Sequence, residues 1–100
     1  MTVTKEKNDD TLTVTIEGSV DSETAPVLSE ELEGETEGIK TMYFDLKDMN
    51  YISSAGLRVF LGLYKGMIKK GGEIILKNAT DDVKEVFEMT GFSAFVTIED

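Results

Sequence analysis

One hundred residues are the length of one domain, 1–100, with a single modest core. Forty per cent hydrophobic residues mark an ordinary globular chain, and the lack of cysteine and histidine removes disulfides, cysteine-bound zinc and the usual Ser-His-Asp and Cys-His machinery. A net charge of −10, from 20 acidic against 10 basic side chains, disfavours nucleic acid and anionic membrane surfaces as partners.

The first residues, Met1-Thr2-Val3-Thr4-Lys5-Glu6-Lys7, carry no apolar run of the signal-peptide kind. No segment reaches the roughly 18 apolar residues of a membrane span, so a soluble cytoplasmic protein is expected. Residues 2–7 read as a weak strand, and Asn8-Asp9-Asp10 supplies the turn of a hairpin. Thr11-Leu12-Thr13-Val14-Thr15-Ile16-Glu17 alternates polar and apolar positions, which predicts a half-buried strand ended by Gly18.

Ala25, Leu28 and Leu32 then recur at helical spacing over residues 22–33. Pro26 is tolerated only in a first turn, so that helix should begin near Ser22 to Thr24. Asp21 stands at the strand-to-helix turn, where a carboxylate caps backbone amides. The glutamate-rich residues 30–37 read as a solvated helix end. Residues 39–46 form the most apolar strand and are expected at the centre of the sheet.

Residues 45–57 read as a strand end, a short loop with Asp48 and Asn50 as turn formers or as partner contacts, and two serines opening an amphipathic helix. Leu57, Phe60, Leu61, Tyr64, Met67 and Ile68 set the helical period, and Gly71-Gly72 stops it. Ser53 is the expected N-cap. A hydroxyl beside it lies near free amides and the positive end of the helix dipole, where a phosphate is well tolerated. That placement suits a serine that is modified better than one that catalyses.

Gly56 suggests close backbone approach in the first turn, to the sheet or to a partner. Gly62 and Gly66 share a face with Arg58, which would leave a shallow groove unless the glycines serve internal packing. Leu63 lies off the apolar stripe as an exposed docking candidate. Downstream, residues 73–77 are a short strand. Thr80 caps a helix with Asp81 and Asp82 in its first turn and Val83, Val86, Phe87 and Met89 as apolar positions. Gly91 ends that helix, and residues 95–98 are the last strand. The predicted order ββαβαβαβ makes an α/β layered fold: a mostly parallel sheet with an antiparallel N-terminal edge strand.

Three motifs in this order resemble the STAS domain family, in particular its stand-alone anti-sigma factor antagonists of bacteria. They are Gly18-Ser19-Val20-Asp21 through Thr24-Ala25, Asp45-Leu46 through Ile52-Ser53-Ser54-Ala55-Gly56-Leu57 into Val59-Phe60, and Gly71-Gly72-Glu73 through Asn78 to Gly91-Phe92. Together they span nearly the whole chain. The resemblance implies a phosphorylation-controlled switch. An anti-sigma factor that is itself a serine kinase, a histidine-kinase-like ATPase, phosphorylates one serine, and a serine phosphatase reverses the step. The unphosphorylated form binds the kinase and frees the sigma factor, which regulates transcription.

Motif matching places the phosphate on Ser54 and implies a partner-binding set of Asp21, Ser53, Ser54, Gly56 and Arg58. The family usually has Asp where Ser53 stands, an exchange expected to slow phosphorylation or change the kinase that recognises the site. Longer members carry a final helix, which the resemblance leaves missing from the 100 residues ending at Asp100.

Two other functions compete. One is a STAS subunit of a transporter or signalling assembly that binds partners without phosphorylation. The other is a small hydrolase with Ser54 as nucleophile, for which Lys47 or Lys65 would have to serve as a base. No Walker-type glycine loop is present, so no cofactor is expected and the chain reads as a phosphate acceptor, not as an enzyme.

Overall fold

The computed structural model describes residues 1–99; Asp100 lies outside them. The elements are β1 (Thr2–Asn8), β2 (Thr11–Val20), α1 (Ala25–Leu32), β3 (Thr41–Asp45), β4 (Met49–Ile52), α2 (Ser54–Lys69), β5 (Glu73–Lys77), α3 (Asp81–Met89), a 3₁₀ turn Phe92–Ala94 and β6 (Thr97–Glu99). The sheet runs β1-β2-β3-β5-β6 with β4 attached to β2. Among the described residues only the β1–β2 pairing is antiparallel. This is the expected mostly parallel sheet with an antiparallel N-terminal edge, and β3 sits at its centre.

The expected order ββαβαβαβ lacks one strand, β4. Four residues with a single partner strand leave a weak sequence signal, and their pairing depends on what β2 does. Gly18 does not end β2. Its φ of 94° allows a bulge, the register shifts between Gly18 and Ser19, and the strand continues to Val20. The first half of β2 therefore pairs with β3 and the second with β4.

Alternation along the strands decides which face is dry. Leu12, Val14 and Ile16 of β2 and Met42 and Phe44 of β3 are fully buried, while Thr11, Thr13, Thr15, Tyr43 and Asp45 between them stay half-buried. On the dry side, the Phe44 and Phe60 ring centroids lie 4.7 Å apart and those of Phe60 and Phe87 5.4 Å, so one aromatic line joins β3, α2 and α3.

Three local expectations need correction. Ile68 and Met89 are 53% and 79% exposed, because the buried lines run Gly56–Phe60–Met67 and Val83–Phe87 and leave both residues off them. The last strand is Thr97–Glu99, not residues 95–98. The amides of Phe95 and Val96 donate to the Phe92 carbonyl, which closes a 3₁₀ turn where the strand was expected to begin. No described helix is long and apolar enough to cross a membrane.

Candidate functional site

Two strand-to-helix turns meet at one end of the β2–β4 seam. Val20 pairs with Ile52, and the Ser53 amide extends the ladder by donating to the Val20 carbonyl at 2.8 Å. From these neighbouring points the chain turns into α1 through Asp21 and into α2 through Ser53. The closeness of the Asp21 turn to the serines follows from β4, the strand that its sequence hides. The Ser19 hydroxyl donates to Asn50 Oδ1 at 2.6 Å and fastens the seam.

Asn50 thus lies in a strand and is no turn former. Asp48 does sit in the turn before β4, where its carbonyl accepts from the Gly18 amide. Five residues of nearly extended chain put Asp48 roughly 15 Å from Ser53, too far to count among the charges of the site. A role for the Ser19–Asn50 pair was not legible in the sequence, because Met49-Asn50-Tyr51-Ile52 shows no strand alternation, with its two ends buried and its two middle residues exposed.

Asp21 caps as expected. Its Oδ1 accepts from the Glu23 and Thr24 amides, both at 3.0 Å, and lies 3.1 Å from the Thr24 hydroxyl oxygen. Thr24 Oγ1 in turn accepts from the Asp21 amide and donates to the Ser19 carbonyl. The amides of Thr24 and then Glu23 hold the Asp21 carboxyl below its ordinary value of 3.8. A depressed carboxyl stabilises the fold above its unfolded pKa, and that contribution is lost as pH falls through the folded value. The thermal stability gap between the parent chain and Asp21→Ala is therefore expected to be full above about pH 4 and to shrink below 3.8. Thermal melts from pH 6 to 2.5 check this, and a gap that does not narrow would contradict it.

The two serines divide their work. Ser53 is the N-cap of α2, and its Oγ accepts from the Gly56 amide at 3.2 Å. Ser54 is the first helical residue, exposed, and among the described residues its hydroxyl has no hydrogen-bond partner. Ser53→Ala is expected to destabilise by about 1 kcal/mol through the lost cap. Ser54→Ala should stay within about 0.5 kcal/mol of the parent, as an exposed site with nothing to lose. Urea midpoints compare the two, and equal losses would show that the hydroxyls share the cap.

Gly56 is buried, and its close approach is to its own sheet. A Cβ there would stand 2.8 Å from Val20 Cγ1 and Ile52 Cγ1, so any side chain would push α2 away from the seam. Arg58, one turn beyond Ser54, is exposed and without an ion pair among the described residues. It borders an open groove of about 450 Å³ between α1 and α2, with Gly62, Leu63, Leu32 and Glu33 among its walls. Gly62 lines this groove, whereas Gly66 does not. Neither serves internal packing, since a Cβ at either would meet nothing within 4 Å. Leu63 is half-buried against the core and is not the exposed docking residue that its position suggested.

Both lysines considered as bases, Lys47 and Lys65, are exposed. Lys47 also lies at the far end of β4, next to Asp48. Among the described residues no group of three or more acidic side chains is placed to hold a metal ion.

The STAS domain model matches residues 2–100. The chain belongs to the STAS domain family. Among curated relatives, the anti-sigma-B factor antagonist of Bacillus subtilis is 35% identical over 92 residues, covering 92% of this chain and 84% of that one. An anti-sigma factor antagonist from Mycobacterium paratuberculosis superposes with a TM-score of 0.85 at 21% identity, over 97% of this chain and 83% of that one. The Bacillus cell fate determinant SpoIIAA in its phosphorylated form gives 0.77 at 16% identity, over 99% of this chain and 92% of that one. These two likenesses establish the STAS fold.

Proposed function

We propose that this STAS domain is an anti-sigma factor antagonist, a cytoplasmic protein-binding switch set by phosphorylation of Ser54. The observation that carries the reading is the exposed, unpartnered Ser54 hydroxyl at the first position of α2, beside a cap that Ser53 alone supplies. Kinship with a curated anti-sigma-B factor antagonist at 35% identity supports the partner class.

The partner is an anti-sigma factor that is also a serine kinase. Ser54 Oγ attacks the γ-phosphorus of its ATP, the hydroxyl proton passes to a base of the kinase, and ADP leaves. The chain has no histidine or cysteine to catalyse this step itself. The modified residue keeps its place because the helix N-terminus favours added negative charge. Asp21, Ser53 and Arg58 would form the contact surface, with Gly56 holding α2 close to the sheet behind it. A serine phosphatase would reset the switch.

Incubating the chain with such a kinase and ATP, then mapping the product by mass spectrometry, tests the reading. Stoichiometric phosphate on Ser54 is expected. Phosphate on Ser53, or a stable complex with no phosphate transferred, would overturn it; the second outcome would favour a STAS subunit that acts by binding alone.

A further inference from the structure

Arg58 is the sole arginine in a chain of net charge −10, and it stands four residues after Ser54 on the same helix. Side chains at this spacing share one face, with Cβ atoms about 5–6 Å apart. Arg58 is exposed, has no ion pair among the described residues, and shares a groove wall with Glu33 without bonding to it. The first two turns of α2, Ser-Ala-Gly-Leu-Arg-Val-Phe-Leu, hold no other charged side chain. The charges of the neighbouring turn, Asp21 and Glu23, are both negative and would turn a phosphate away from α1. A guanidinium is the side chain best shaped to take two phosphate oxygens at once.

We infer that Arg58 is the intramolecular counter-ion of a phosphate on Ser54, and that pairing draws its guanidinium out of the groove between α1 and α2. One modification then alters two surfaces: the serine turn gains negative charge, and the groove loses its only arginine and keeps Glu33. The inference rests on Ser54 as the modified residue.

Its test avoids the kinase. Phosphoserine is installed at position 54 by genetic encoding in the full chain, and its second ionisation is followed by phosphorus NMR at low salt. Arg58→Gln is expected to raise that pKa by about 0.3–0.7 unit, the size of an exposed ion pair, and 1 M salt should abolish the difference. Lys65→Gln removes the same charge eleven residues downstream and should leave the value unchanged. The methyl resonances of Val59 and Leu63 in the groove should shift on phosphorylation in the parent and not in Arg58→Gln.

Equal pKa values in parent and Arg58→Gln, or an equal response to Lys65→Gln, would overturn the inference. Whether a kinase modifies Ser54 at all is read separately from the mapped phosphate, so the two claims fail independently.

Discussion

Truncating Phe60 to alanine is expected to lower the free energy of unfolding by about 3–5 kcal/mol. A chain of this size has roughly 5–15 kcal/mol in total, so the loss is a large share of it. Phe60 is fully buried, and its ring meets Phe44 of β3 on one side and Phe87 of α3 on the other. Removing it breaks both aromatic contacts and leaves a cavity where sheet and two helices meet. A closely packed core relaxes only partly into such a space. The urea midpoint should fall sharply and Tm by more than roughly 10 °C. The serine turn lies less than two helical turns from Phe60, so partner binding should weaken as the start of α2 loosens. A midpoint near that of the parent would mean that α2 is not anchored to the sheet through this ring.

Replacing Ser54 with aspartate is expected to weaken binding of the proposed anti-sigma partner at least about tenfold, while Ser54→Ala should bind as the parent does and resist the proposed switching. An acidic group at the first turn of α2 meets a favourable dipole of about 0.3–1 kcal/mol, so the fold tolerates it. A docked surface does not. Asp21 and Glu23 already place negative charge beside the turn, and covering another anion there adds repulsion and desolvation. A penalty of 1.4 kcal/mol is enough for the tenfold loss. Titration calorimetry with each variant reads the effect, and amide spectra confirm that both stay folded. Unchanged affinity for Ser54→Asp would mean that the serine turn lies outside the interface.

Much of this site was legible because its signals are local. Ser53 before an amphipathic helix and Thr80 before Asp81 and Asp82 each cap a helix within three residues, and Asp21 binds the amides of Glu23 and Thr24 in the turn that leads into α1. The capping chemistry is therefore written in the segment itself. β4 was hidden because its four residues are a strand only through β2, and β2 reaches them only by bulging at Gly18. The same contact brings Asp21 and Ser54 to one end of the seam and carries Asp48 to the other. Met89 and Ile68 fit an apolar pattern but are exposed, since helical period marks a face while packing decides how wide the buried part is.

Calorimetric titration of the proposed anti-sigma kinase partner with the unmodified chain, and then with the chain carrying phosphate quantitatively on Ser54, is the most direct measurement of the proposed switch. A tight complex with the unmodified chain and an affinity at least about tenfold lower for the phosphorylated one is the expected result. Equal dissociation constants for the two forms would contradict it.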